Sequence, residues 1–314
     1  MKESIMTNMK KLGLTALAGS LVTTTAFAGA LDVSGTAKVV YASQDESEVT
    51  GNPWSMNQGI GFSGSGDTDV GTISYQYTMT NAAFSSSSLK LDMGDSGTIS
   101  LSNGAGTTGI SAYDDVMPTA GEEVWDDLDG QANGVATISS TNTLGYAGTF
   151  GGMGVSASYN KDSGGGNQGS SKSIVLTSGS LMDGVDVGIG IGDKAGSSSD
   201  TGTDLRVMYA KYTMGSVTAG IQHTDIDLSA ADSDSERMHI AVSMAINENL
   251  SASIGQSTVE FESSSKDDQE NTGLAVSYTM GSMTIAAFTN SESSSGGTNG
   301  TDDSVSEVSV AFAF

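Results

Sequence analysis

Apolar side chains recur at every second position through most of the chain. Leu31, Val33, Ala37, Val39 and Tyr41 alternate with Asp32, Ser34, Thr36 and Lys38. Trp54, Met56, Ile60 and Phe62 share one parity of the next segment, and Ile73, Tyr75, Tyr77 and Met79 alternate with Ser74, Gln76 and Thr78. The same period marks Leu89/Leu91/Met93, Leu144/Tyr146/Phe150, Val155/Ala157/Tyr159 and Val185/Val187/Ile189/Ile191. It continues in Met238/Ile240/Val242/Met244, Leu274/Val276/Tyr278/Met280 and Val308/Val310/Phe312/Phe314. Alternate side chains of a strand point to opposite faces, so these segments predict strands with one apolar face and one face of Ser, Thr, Gly, Asn or charge. Scarcely any segment has helical spacing.

The breaks are of two kinds. Short ones lie at Gly64–Gly71, Gly94–Gly97, Gly151–Gly154, Met182–Gly184, Asn247–Asn249 and two copies of Thr-Met-Gly-Ser at 213–216 and 279–282. They carry the Gly, Asp and Asn that accept positive φ in hairpin turns. Long ones lie at Gln44–Pro53, Asn81–Ser88, Gly104–Asn133, Lys161–Ser171, Asp193–Thr203, Asp225–Ser235, Glu260–Glu270 and Asn290–Asp303. Eight long and seven short connections in strict alternation predict 16 strands. An even count with short turns at one end and long loops at the other is the layout of an outer-membrane barrel. Closure is also the only way for strands to satisfy every backbone group in lipid. A soluble β-sandwich would not need that alternation of connections. A secreted β-roll or adhesin passenger would show a short repeat, which Gly64-Ser65-Gly66-Asp67 and Gly164-Gly165-Gly166 do not form.

The N-terminus reads differently. Lys10 and Lys11 precede an uncharged run, Leu12 to Phe27, that ends in Ala26-Phe27-Ala28. This predicts a secretory signal over 1–28, cleaved before Gly29, rather than an anchor, for which the run is too short and too polar. Residues 29–314 are then one barrel domain; Met9 is an alternative start to Met1. The mature chain would carry 9 basic and 36 acidic residues.

Composition removes most other functions. The 314 residues include 42 Gly, 2 Pro, 2 His and no Cys, with a net charge of −25. Disulfide scaffolds, thiol catalysis and Cys-ligated metals are excluded. The acidity argues against nucleic-acid binding and favours cationic partners. His223 and His239 fall in separate strands with no nucleophile motif beside them, so no enzyme and no cofactor is expected.

Leu89-Lys90-Leu91-Asp92-Met93-Gly94-Asp95-Ser96-Gly97-Thr98-Ile99-Ser100-Leu101 resembles the hairpin of Gram-negative general porins that leads into their constriction loop. Asn142 to Gly152 resembles the next hairpin, and Val308 to Phe314 resembles their last strand with its terminal Phe. The acidic, loop-rich character is similar to alphaproteobacterial porins. The resemblance spans the mature chain and implies a 16-stranded homotrimeric barrel in the outer membrane, with the third long loop folded into the lumen. It also implies passive diffusion of small hydrophilic solutes and ions. The implied partners are outer-membrane lipid, lipopolysaccharide and the barrel-insertion machinery, which would read Phe314. A substrate-selective channel is the alternative within the fold, and a secreted acidic adhesin the alternative outside it.

Within that frame Gly104–Asn133, the longest connection, holds Asp114, Asp115, Glu122, Glu123, Asp126, Asp127 and Asp129 with no Lys or Arg. By itself this is a solvated acidic loop. By its length and ordinal place it is the expected pore lining, and it would favour cations. The family's basic wall has few candidates: Lys38, Lys90, Lys211 and Arg237, each otherwise a rim charge or a loop-holding ion pair. Tyr41, Tyr75, Tyr77, Tyr146, Tyr159, Tyr212, Tyr278, Phe288, Phe312 and Phe314 are expected in aromatic girdles. Loop acids Asp45, Glu46, Glu48, Asp267, Asp268, Asp302 and Asp303 offer oxygen ligands suited to Ca²⁺ or Mg²⁺, without an EF-hand pattern.

Overall fold

The computed structural model describes residues 31–44, 52–104, 107–130, 134–135, 138, 141–161, 169–179, 181–196 and 202–314. The expected leader and Asp45, Glu46 and Glu48 lie outside them. Sixteen antiparallel strands close into a barrel. They are β1 (Asp32–Gln44), β2 (Trp54–Thr68), β3 (Gly71–Thr80), β4 (Ala83–Asp92), β5 (Thr98–Asn103), β6 (Thr143–Phe150), β7 (Met153–Lys161) and β8 (Ser170–Ser178). The second half is β9 (Val185–Lys194), β10 (Thr203–Met214), β11 (Val217–Leu228), β12 (Ser235–Ala245), β13 (Leu250–Phe261), β14 (Gln269–Met280), β15 (Met283–Ser293) and β16 (Asp303–Ala313). Each strand pairs with its sequence neighbour, and β1 closes on β16 through Val39↔Val310. Phe314 completes the seam: its N–H donates to Gly35 O at 2.8 Å and its carbonyl accepts from Gly35 N–H at 3.1 Å, with the ring 80% exposed.

The period-two parity survives folding. Val33, Trp54, Met56, Ile60, Leu89, Leu101, Ile189, Met208, Ile254 and Val308 all face outward and exposed. No helix among the described residues is long and apolar enough to cross a membrane.

Three expectations need correction. The break expected at Asn81–Ser88 is a two-residue turn, Asn81-Ala82, with φ of 49° and 65°. The serines after it belong to β4, because Ser86 and Ser88 occupy the inward parity, where a hydroxyl is as welcome as in a loop. The short break at Gly64–Gly71 shrinks to Asp69-Val70, since β2 runs on through Thr68. Phe288 is not in a girdle: it faces inward and is buried with Ala275 and Val305. The expected outward aromatics do form pairs, Tyr41 on Trp54 at 5.0 Å near the long-loop rim and Tyr146 by Phe150 at 6.2 Å near the turn rim.

Candidate pore constriction

The connection between β5 and β6 spans 104–142, longer than the 104–133 expected. It does not stay outside. Two glycines start its descent: Gly104 at φ +79°, and Gly109 at φ +65°, which is wedged between Ser158 and Ser173. A 3₁₀ turn over Gly109–Tyr113 follows, anchored by Gly109 N–H to Ser156 Oγ (2.8 Å) and Ile110 N–H to Ser173 Oγ (2.9 Å).

From there the loop is fastened along the inner wall, strand after strand. Val116 N–H donates to Gln222 Oε1 on β11, while Gln222 Nε2 donates to Asp114 O at 2.8 Å. Ala120 N–H donates to Ser253 Oγ on β13 at 2.8 Å. Asn290 Nδ2 on β15 donates to Glu123 O (2.7 Å) and Asp126 O (3.1 Å). Asp129 N–H donates to Asp303 Oδ2 on β16 at 2.9 Å. On the return, Arg237 Nη1 on β12 donates to Gly134 O at 2.8 Å. Backbone groups that would be orphaned in an irregular buried segment are thus met by wall side chains.

Apolar contacts fill the space behind the loop. Ile110, Val135 and Ile138 pack on Val175, Leu205, Val207 and Ile226. Met117 packs by Tyr209 and Ala241, and Ala120 and Leu128 cover Ala275, Phe288 and Val305. The wall is thinned where the loop presses: a Cβ at Gly192 would stand 3.1 Å from both Ile110 and Ile138, and one at Gly255 would stand 2.9 Å from Val124. Trp125 meets the buried His239 ring edge-on at 4.7 Å.

The acids are gathered on this loop. Carboxylate oxygens of Glu122, Glu123 and Asp126 lie within 4.8 Å of one another, a hard-oxygen set of the kind that holds Ca²⁺ or Mg²⁺. Desolvation, then hydrogen bonding to the Asp115 carboxyl, pushes Glu123 up to about 7. Desolvation, then its bond to Glu123, pushes Asp126 to about 7. Burial also raises Asp114, Asp115 and Asp127. Two carboxyls hydrogen-bond only if one keeps its proton, so Asp115, Glu123 and Asp126 titrate as a linked set. Asp129 engages the wall through its N–H. Of the other candidate metal-binding acids, Asp267 accepts from Asn299, Asp302 from Ser294 N–H and Asp303 from the loop. Asp268 is not brought into a carboxylate cluster among the described residues.

The four expected wall bases separate. Lys38 faces inward and bridges Glu122 (3.1 Å) and Glu307 (2.9 Å), tying the loop tip to β1 and β16. Lys211 pairs with Asp186 at 3.1 Å beside the Tyr209 ring. Arg237 holds the returning limb. Lys90 sits on the inward face of β4 between Ser74 and Ser100, outside every ion pair among the described residues. The rest of that wall is uncharged over most of its height: Ser34, Thr36, Ser55, Asn57, Ser63, Ser74, Gln76, Thr78, Ser86, Ser88, Ser100 and Ser102 share the inward parity.

A family model described as Gram-negative porin matches residues 13–314. The chain belongs to the Gram-negative porin family. Solved porins share the fold. One described simply as porin is 16% identical, with a TM-score of 0.69, covering 91% of this chain and 100% of that one. OmpT, an outer-membrane protein of Vibrio cholerae, is 12% identical with a TM-score of 0.67, covering 91% and 98%. An anion-selective porin from Comamonas acidovorans is 14% identical with a TM-score of 0.65, covering 91% and 100%. Curated protein sequences show no significant match to this chain. Family and fold place this porin in the outer membrane as a channel-forming barrel.

The sequence reading missed the loop's seat. Leu205, Val207, Tyr209, Gln222, Ser253, Glu307 and Asn290 carry it, and none was singled out. A signal was present: Leu205-Arg206-Val207-Met208-Tyr209 has apolar side chains on both parities, and β9 places Gly188, Gly190 and Gly192 on its inward parity. A lumen wall facing only water would not show apolar side chains on both parities.

Proposed function

We propose that this porin passes small hydrophilic solutes and ions passively through a water-filled lumen, prefers cations, works as a homotrimer and performs no reaction on what it passes. One observation supports the preference above others: a ledge of Asp114, Asp115, Glu122, Glu123, Asp126 and Asp127 faces a hydroxyl-lined wall whose one base without an ion pair among the described residues is Lys90. A unit charge about 4 Å from a permeating ion is worth about 1 kcal/mol in water and about 4 at an effective dielectric of 20. Several carboxylates, even partly protonated, outweigh one lysine. The fold does not decide the sign, because a porin of the same fold is anion-selective. Reversal potential in a KCl gradient tests the reading. The wild type should favour K⁺, and neutralising Asp114, Asp115, Glu122, Glu123, Asp126, Asp127 and Asp129 to Asn or Gln should bring the ratio toward one. A chloride preference, or an unchanged ratio in that variant, refutes it.

A further inference from the structure

The inner face at the long-loop end of β15 and β16 buries two carboxylates side by side. Glu292 and Asp303 are paired in register across the β15–β16 ladder and are 4% and 8% exposed. Neither forms an ion pair among the described residues. Lys266, carried by the connection between β13 and β14, is engaged by Gly296 O and the Phe261 ring. Like charges opposite one another on one face of a sheet repel, and a buried carboxylate without a counter-charge is strongly unfavourable. Glu292 is only half satisfied. Its Oε2 accepts from Asn271 Nδ2 at 2.7 Å, while its Oε1 is buried with no hydrogen-bond partner.

The groups beside that oxygen are oxygens too. Gln269 and Asn271 are fully buried on β14, and Gln269 Nε2 donates to Asn271 Oδ1 at 2.8 Å. Gln269 Oε1 and both carboxylate oxygens of Glu292 crowd one point beside Gly130, where a Cβ would overlap all three. Glycine is what lets the third loop come that close. The residue before it donates its N–H to Asp303 Oδ2 at 2.9 Å, so Asp129 and Gly130 together rest on both acids. None of these residues belongs to the Glu122, Glu123 and Asp126 set. A proton or a monovalent ion would neutralise one acid and leave the other; a divalent cation answers both. Mg²⁺ demands a near-ideal octahedron and keeps several waters, whereas Ca²⁺ accepts a bidentate carboxylate and amide carbonyls in flexible geometry.

We propose that Glu292 and Asp303 bind Ca²⁺, with Gln269 Oε1 as a further ligand, and that the ion fastens Asp129 and Gly130 of the third loop to the β15–β16 rim. The test is isothermal titration of the folded, chelator-stripped porin with CaCl₂ and with MgCl₂. The wild type should take up Ca²⁺ at this seat at least about tenfold more tightly than Mg²⁺. Glu292→Gln, which keeps the volume and an acceptor for Asn271, should remove one Ca²⁺ per chain, and Asp303→Asn should do the same. A variant with Glu122→Gln, Glu123→Gln and Asp126→Asn, which lacks the other acidic set, should retain that ion. Ca²⁺ should also slow proteolytic cleavage of the third loop in the wild type and not in Glu292→Gln. Heat-modifiable migration shows that each variant is folded. No Ca²⁺ uptake by the wild type at millimolar concentration would overturn the assignment and leave a proton on Glu292 as what neutralises it. Equal affinity for the two metals at this seat, or as many Ca²⁺ bound by Glu292→Gln and Asp303→Asn as by the wild type, would overturn it as well.

Discussion

The two arcs of the barrel wall differ on their inner faces and agree on their outer ones. Over β1–β4 the inward parity is mostly Ser, Thr, Asn, Gln and Gly, with Lys38, Lys90, Asp32, Asp67, Asp92 and the buried Val40 among them, and most of it faces the lumen. Over β8–β16 it includes Val175, Leu205, Val207, Ile226, Val259, Ala275, Phe288 and Val305, all buried. Outward residues are mostly apolar in both arcs, with charged residues such as Lys172, Asp193, Asp204 and Arg206 at the long-loop rim. The inner face therefore reports what lies against it: water along one arc, the third loop along the other. The barrel has its hydrophobic core between that loop and the wall, off the axis of the pore.

The sharpest test exchanges the two environments. Val207→Asp puts a carboxylate into a site that is 0% exposed, beneath Ile110. An uncompensated buried charge costs roughly 3–5 kcal/mol, so denaturant unfolding should shift markedly and single-channel conductance should rise as the loop lifts. Ser74→Asp on the open arc should change stability by no more than about 0.5 kcal/mol. Equal effects at the two positions would erase the distinction between the arcs.

A second test uses protons. Glu123 and Asp126 are raised to about 7 in the folded protein, above the usual carboxylate range near 4. A raised folded value means that the docked loop binds protons more tightly than the undocked one. Docking stability is therefore complete below about pH 4 and is lost as pH rises through about 7. Over that window the ledge gains charge, so the K⁺ preference should climb. Glu123→Gln should flatten the climb. A ratio already constant above pH 5 would mean that the carboxyls are solvated and unlinked.

The smallest effect is expected at the contact of Lys38 with Glu122, whose side chains are 29% and 41% exposed. Such a pair contributes about 0–1 kcal/mol. Glu122→Gln leaves Lys38 on Glu307, which is 8% exposed, so the unfolding midpoint should be nearly unchanged, while reversal potential should register a modest fall in K⁺ preference as one carboxylate of the ledge is neutralised. A rise in that preference would show that Glu122 does not act on the passing ion.

Much of this was legible in the chain. Period two marks strands wherever one face meets lipid, because lipid tolerates no polar side chain and the opposite face then stands out. The third loop was visible by length and ordinal place. Its acids were visible as residues but not as a linked set, since Asp115 and Glu123 are brought together only by the path of the loop. Serine misled at 85–88, because a hydroxyl suits a lumen wall as well as a loop. Phe288 misled because an inward aromatic under a loop looks, in sequence, like an outward aromatic in a girdle.

The sequence by itself determined sixteen strands, their parity and hence a closed barrel, although one of the eight long connections it predicted, Asn81–Ser88, is a two-residue turn. These follow from local alternation and from the requirement that no backbone group be left unpaired in lipid. The tertiary structure alone decided that Lys38 is a fastener rather than a free wall charge, and that Val207 faces protein rather than water. It also decided that the Glu123 carboxyl lies beside those of both Asp115 and Asp126. Those outcomes depend on where residues 104–142 come to rest, with Ser156, Lys38 and Asp303 holding them from 47, 84 and 174 positions away along the chain. No local pattern encodes that distance, since it is set by the closure of sixteen strands and by the shape of the wall they form.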